Sequence, residues 1–327
     1  MAPHLATAAL VAMLTFLVLV PLGPAVIRAL LARGIGKNIR DDEPETHRVK
    51  SGTATMGGLY FLAGITVVGA IQVAAGQTRV ALLLLAMVSF GALGAYDDVR
   101  GLRAGGGEGW LARYKIWWQW AAALLVALVG YWSLAEHPMV VPLTGTDIDM
   151  GAWFIPVAAL LMVFFSNAVN FADGLDGLAG GTVAIAFAAY GLLAGSAGDL
   201  AVFSLAVVGS LLAFLWYNVR PARLFMGDTG SLALGAGLVM VAMLSGHWLL
   251  LPLIGIVFVA EAVSVMMQVA YFKYTKRRYG EGRRILRMSP LHYHFELGGW
   301  AEVTITQRFW IVAAVAAAAG VALGAAT

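Results

Sequence analysis

Trp153–Phe165, WFIPVAALLMVFF, is uninterrupted hydrocarbon, and Thr182–Leu193, TVAIAFAAYGLL, is nearly so. Between them lies Ser166–Gly181, SNAVNFADGLDGLAGG, which carries Asn167, Asn170, Asp173 and Asp176. Apolar runs on this scale belong to membrane helices, so the pattern reads as two spans joined by a polar turn. Gly174, Gly177, Gly180 and Gly181 free the turn to bend and let a ligand approach the backbone. Carboxylates at the mouth of a membrane helix are expensive to keep and usually functional. A single Asn or Asp there would read as an ordinary helix cap. Two of each at one turn read as a site.

Working outward, the whole chain fits that class. Its 327 residues are 61% hydrophobic and 12% charged, with a mean hydropathy of +0.83. These values exclude a soluble domain and predict an all-α, multi-pass membrane protein. The absence of cysteine rules out disulfides, thiol catalysis and cysteine zinc sites. Ten spans are expected: 5–31, 57–75, 80–96, 116–134, 153–170, 177–194, 200–217, 231–245, 248–272 and 309–326. The shorter ones are expected to end at protein-lined or water-filled cavities. The ninth, at ~37 Å for a 1.5 Å rise per residue, is expected to bend, tilt or protrude.

The positive charges orient the bundle. All but one of the 21 Lys and Arg fall in segments 28–50, 100–115, 220–223 and 273–308. The exception, Arg79, sits in a short loop on the opposite side. The positive-inside rule therefore places those four segments in the cytoplasm and both termini outside. The apolar run near the N-terminus is too long for a signal peptide, and its charges follow it, so it reads as a retained first helix. No repeat or long linker divides the sequence, and residues 1–327 are expected to form a single polytopic domain.

The polar residues converge on the inner side. Lys50-Ser-Gly-Thr-Ala-Thr-Met-Gly-Gly58 places a lysine and three hydroxyls before a helix start, which could cradle an anion, although taken alone the loop reads better as a basic juxtamembrane segment drawn to anionic lipid. Gly94-Ala-Tyr-Asp97-Asp98 ends the third apolar run, where two adjacent carboxylates repel each other and oppose the helix dipole. A divalent cation or cationic ligand would relieve both penalties. Gly227-Asp228-Thr-Gly-Ser231 offers amides, a carboxylate and a hydroxyl at a helix N-terminus. With no Cys and few His, hard oxygen ligands suit Mg²⁺ held with substrate phosphates. Carboxylates for metal, basic groups for phosphate and glycines for close approach describe phosphoryl transfer from a diphosphate. Lys276–Met288, KRRYGEGRRILRM, reads as a basic helix lying on the membrane surface. His292 and His294 read as phosphate-binding or proton-handling groups rather than a zinc pair. Glu261, deep in the ninth span, is expected to face the bundle interior, because a charge turned to lipid there is costly.

These motifs coincide with a known family. KSGTATMGG, GAYDD, ARYK, NAVNFADGLDGLAGG, FLWYN…LFMGDTGS and MSPLHYHFELGGW resemble the polyprenyl-phosphate N-acetylhexosamine-1-phosphate transferases. Within them, the TATMGG loop and histidine segment resemble the phospho-N-acetylmuramoyl-pentapeptide transferase branch. The likeness runs from about Arg33 to Arg308. It implies ten membrane helices around an inner-face cleft in the bacterial plasma membrane. It implies transfer of phospho-MurNAc-pentapeptide from its UDP carrier to undecaprenyl phosphate, giving lipid I and UMP with Mg²⁺ as cofactor. The implied partners are UDP-MurNAc-pentapeptide, undecaprenyl phosphate, membrane lipid and a second copy of the chain in a homodimer, and no nucleic acid.

Residue by residue, the resemblance makes Asp97 the base for the lipid phosphate, Asp98 its essential neighbour and Asp228 the Mg²⁺ ligand. Lys50, Asn170, Asp173, Asp176 and Phe225 match nucleoside-site positions, with Phe225 stacking on uracil. Thr55, Asn218, Gln268, His292 and His294 line the same cleft. Two positions depart from the pattern: Ala54 replaces a proline, and Tyr293 replaces the middle histidine of a triplet. The rival readings are a sister transferase using UDP-N-acetylglucosamine, a secondary transporter, and a structural scaffold. Transporter sites lie near the bilayer midplane, often between repeated halves, whereas these carboxylates sit at helix ends on one face.

Overall fold

The computed structural model describes residues 3–36, 52–103, 112–194 and 197–326. Its helices are α1 (Pro3–Leu19), α2 (Gly23–Ala32), α3 (Gly58–Ala74), α4 (Arg79–Arg103), α5 (Ala112–Ser133), α6 (Phe154–Ala172) and α7 (Leu178–Leu193). They continue as α8 (Gly198–Asn218), α9 (Gly227–Leu244), α10 (Leu251–Ile254), α11 (Ile256–Tyr279), α12 (Leu291–Glu296) and α13 (Glu302–Ala325). Eight helical stretches among the described residues are long and apolar enough to cross a membrane. One of them, His4–Ala32, joins α1 to α2 through a 3₁₀ turn containing Pro21. Two shorter apolar helices, Gly58–Ala74 and Leu178–Leu193, occupy the places of the second and sixth expected spans.

Burial sets the layout. Every residue of α9 from Thr229 to Leu244 is buried. An apolar helix without a polar face belongs at the centre of a bundle, and α4, α6 and α3 pack around this one. α5 lies at the periphery, with Trp117 and Trp118 exposed near one end and Trp132 near the other. Fifteen residues of helix separate Trp117 from Trp132, ~22 Å, and exposed tryptophans at such spacing mark the two bilayer interfaces. Arg79, the exception to the charge pattern, is neutralised by Asp199 of α8 through Nη2 at 2.8 Å and Nε at 3.1 Å.

The fold is mostly helical, as expected, with one small addition: β1 (Pro138–Val141) and β2 (Thr146–Asp149) form an antiparallel hairpin. The amides of Gly151 and His137 donate to Asp149 beside it and hold that carboxyl below the usual carboxylate range. The single helix expected over 248–272 is a 3₁₀ turn, the short α10, and α11 beyond a break at Gly255. Lys273–Arg278 extend α11 rather than start a surface helix, and Gly280, at φ +80°, ends it. The remaining basic residues, Arg283, Arg284 and Arg287, lie in the irregular segment that follows. Finally, Asp97 and Asp98 do not terminate α4, which continues to Arg103.

Candidate active site

The site is built where α4 crosses α9. Gly94 makes the crossing close: a Cβ there would sit 2.1 Å from the carbonyl oxygen of Asp228. One turn further, Asp98 receives the N-terminus of α9. Its Oδ1 accepts the Asp228 amide at 3.0 Å, and Oδ2 accepts the Thr229 amide at 2.9 Å and hydroxyl at 2.6 Å. The carboxylate thus caps a helix that begins about 130 residues later. The positive end of α9 offsets the penalty that α4 alone would impose.

Asp97 and Asp228 face the same cation. Lys115 Nζ, from the first turn of α5, donates to Asp97 Oδ2 at 2.9 Å and also to Asp228 Oδ2. Asn170 Nδ2, near the end of α6, donates to Asp228 Oδ1 at 2.7 Å and to Ser231 Oγ at 2.9 Å. Three helices therefore converge on Asp228. The side chains of Asp97, Lys115 and Asp228 remain 13%, 16% and 24% exposed, so the cluster is reachable from water.

The polar turn packs behind it. Asp176 is buried; its Oδ2 accepts the Ala222 amide at 3.1 Å, while its own amide donates to Glu302 Oε1 at 2.8 Å. Arg220 pairs with Glu302. Asn218 is also buried, accepting from Gly177 N at 3.0 Å and donating to Leu224 O at 2.8 Å. Asp173 is half-buried at the C-cap of α6. Phe225, half-buried, pairs with the loop before α3: its amide donates to Ala54 O at 2.8 Å and its carbonyl accepts from Gly57 N at 2.7 Å. That pairing brings Thr55 beside Phe225. Ala54 makes this contact through its carbonyl, a group that proline would also offer.

The segment after α11 folds back along it. Thr275 Oγ1 accepts from Arg283 N at 2.8 Å, Gln268 Oε1 accepts from Ile285 N and Leu286 N at 3.0 Å, and Glu261 holds His292. His294 Nδ1 accepts the Arg287 amide at 3.1 Å. Gln268, Lys273, Arg284 and Ser289 border a cavity of about 410 Å³ in this region.

The Glycosyl transferase family 4 profile matches residues 80–246. A protein of Chloroflexus aurantiacus, named phospho-N-acetylmuramoyl-pentapeptide-transferase, is 45% identical over 98% of this chain and 90% of its own. Proteins of the same name from Anoxybacillus flavithermus and Chloroherpeton thalassium are 42% and 40% identical. These cover 94% and 92% of this chain, and 95% and 88% of their own.

The chain belongs to the phospho-N-acetylmuramoyl-pentapeptide-transferase family.

As a member of that family it is a transferase, and most of the site residues expected from the sequence fall into three groups. Asp97, Asp98, Asp228 and Asn170 form one cluster. Thr55 and Phe225 meet on paired loops near it. Asp176, Asn218 and Gln268 spend their hydrogen bonds on backbone groups and hold the turn and loops in shape. Lys50 lies outside the described residues. Lys115 enters the sequence reading only as the last residue of ARYK, with no role attached to it. In the sequence it is one more basic group at a membrane boundary, and its neighbours give no sign of two distant carboxylates.

Among the described residues, no three His, Cys, Asp or Glu side chains form a metal cage by themselves. A divalent metal nevertheless fits the donors present. Asp97 and Asp228 direct hard oxygens at one cationic position, and a Mg²⁺ site commonly takes one or two carboxylates and completes itself with phosphates and water.

Proposed function

We propose that the chain transfers phospho-MurNAc-pentapeptide from UDP-MurNAc-pentapeptide to undecaprenyl phosphate, with Mg²⁺, giving lipid I and UMP. The observation that carries this reading is the likeness over nearly the whole chain to transferases of that name. The convergence of Asp97, Lys115, Asp228 and Asn170 supports it. In the same proposal, residues 1–327 form one polytopic domain with ten spans, in the bacterial inner membrane. Both termini face outward, the cleft opens to the cytoplasm, and the protein works as a homodimer. The charge distribution supports the orientation; crosslinking in membranes tests the dimer.

A lipid phosphate oxygen attacks the β-phosphorus of the UDP-sugar, the bond from that phosphorus to UMP breaks, and UMP leaves. Asp97 accepts the proton of the lipid phosphate, whose second pKa is near 6. Asp228 would hold the metal, which when bound would neutralise charge on the diphosphate. Lys115 keeps the two carboxylates together and supplies a second positive charge to the phosphoryl group. Asp98 holds the α9 N-terminus in position; its oxygens are occupied by the Asp228 and Thr229 amides and the Thr229 hydroxyl, which favours Asp97 as the reacting carboxylate. Phe225, Thr55, Lys50, Asn170, Asp173 and Asp176 form the nucleoside side of the cleft, with Asn218, Gln268, His292 and His294 along its wall.

The decisive experiment measures UMP release from purified protein with undecaprenyl phosphate and Mg²⁺, supplying UDP-MurNAc-pentapeptide and UDP-N-acetylglucosamine separately. Turnover with only the first is expected. Turnover with only the second would reassign the chain to the sister activity, and none with either would overturn the reading.

A further inference from the structure

Glu261 and His292 have no exposed side-chain surface, yet they come from very different places. Glu261 lies in the apolar half of α11, next to buried Val257, Phe258 and Ala262. His292 belongs to α12, on the segment that follows the basic end of α11. His292 Nδ1 lies 3.1 Å from Glu261 Oε1, and the His292 amide donates to Glu261 Oε2 at 3.4 Å.

The pair ends a regular series. Thr275, Gln268 and Glu261 recur every seven residues, two helical turns, and therefore share one face of α11. Each accepts from the backbone of the returning segment: Thr275 from Arg283, Gln268 from Ile285 and Leu286, Glu261 from His292. The stripe spans ~21 Å of helix, by the 1.5 Å rise. A hydroxyl and an amide suffice at the first two positions. The third is a carboxylate, in the most buried place, and it alone also engages a side chain.

The other face of the imidazole meets the polar turn. A Cβ on Gly174 would lie 2.3 Å from His292 Nε2 and 2.8 Å from Cε1, so only glycine admits the ring. Nε2 is buried and has no hydrogen-bond partner among the described residues. A buried imidazole nitrogen left unsatisfied is uncommon and calls for an explanation. A carboxylate on Nδ1 fixes both tautomer and ring orientation, the arrangement by which buried acids prepare histidines for work at the opposite nitrogen.

We infer that Glu261 is a positioning residue: it holds the Nδ1 proton of His292 and thereby keeps Nε2 directed at the Gly174 turn, on the substrate side of the cleft. The catalytic consequence rests on the transferase reading above; the structural statement does not. Glu261 acts through His292, so its effect on turnover vanishes when the imidazole is gone.

The test is a mutant cycle with a spectroscopic arm. Glu261→Ala is expected to lower UMP release ~10–100-fold, the scale of losing a partner behind a working ligand. Glu261→Gln retains a carbonyl acceptor and is expected to recover most of that loss. Adding Glu261→Ala to His292→Ala is expected to cost no more than His292→Ala alone. Nitrogen-15 spectra of histidine-labelled protein, with the His292 signal assigned from the His292→Ala variant, are expected to show a protonated Nδ1 that Glu261→Gln preserves. Additive losses in the double variant, a Gln variant no better than Ala, or a wild-type His292 without a proton on Nδ1 would each overturn the inference. The spectra need no substrate, so they report on the pair even if the transferase assay fails.

Discussion

Two charged clusters link transmembrane helices in this protein, and they differ in how well their charges balance. At one end of the bundle, Arg79 meets Asp199 through two nitrogens, and the pair is complete. At the other, Asp97 and Asp228 share Lys115, and Asp98 lies beside them on the amides of Asp228 and Thr229. Taken together, those four groups carry a net charge of about −2 when all are ionised. A closed pair of opposite charges fastens two helices, whereas a cluster with an excess of carboxylates has capacity for a cation. Exposure points the same way. The cations differ in this respect: Arg79 is 43% exposed, where an ion pair contributes little, whereas Lys115 is 16% exposed and its charge is less screened.

The comparison is broken most severely at Asp97. Asp97→Asn is expected to lower turnover ~10²–10⁴-fold, the range for a general base, and to recover partly as pH rises. The sign follows from the acceptor: raising pH through about 6 ionises the lipid phosphate without help. UMP release measured from about pH 6 to about pH 9 checks this. Stoichiometric UMP release without lipid phosphate, with a phosphorylated aspartate trapped, would instead establish a covalent route.

Asp228→Asn keeps the size and removes the charge. It is expected to cost at least ~100-fold in rate and to raise the Mg²⁺ concentration needed for half-maximal turnover. Near-normal Mg²⁺-dependent turnover in that variant counts against the metal assignment. Phe225→Ala sharpens the contrast between chemistry and binding: UDP-sugar affinity is expected to fall by ~1–3 kcal/mol, the value of a base stacked on an aromatic ring. Calorimetric titration with the UDP-sugar reads that loss, and unchanged affinity refutes the stacking. The smallest effect belongs to the balanced pair. Arg79→Gln is expected to change stability by no more than ~1 kcal/mol and leave UMP release within about twofold, checked by thermal denaturation and the same assay.

Several of these features are legible in the sequence itself. Asp97, Asp98, Asp228 and Asn170 stand out because polar groups are costly beside hydrocarbon, and that cost is local. Glu261 is expected to avoid lipid for the same reason, and it is fully buried against His292. Their partners are not legible. Asp98 looks destabilising at a helix end because the helix it caps begins far along the chain. Lys115 looks like an interfacial cation. Asp176, Asn218 and Gln268 read as ligand groups, and only the folded chain shows that each also bonds the backbone of a neighbouring segment.

The division follows from the physics of the two kinds of information. Hydropathy and the distribution of Lys and Arg act on each segment separately, through transfer between water and lipid. They determined that this chain is a bundle of membrane helices with polar residues gathered near certain helix ends. Which polar residues meet depends on helix packing. The approach of α4 to α9 at Gly94 and the return of 283–292 along α11 join residues distant in sequence, and nothing local to those residues names their partners. Tertiary structure alone therefore decided that one lysine serves two carboxylates, and that a buried glutamate holds a loop histidine.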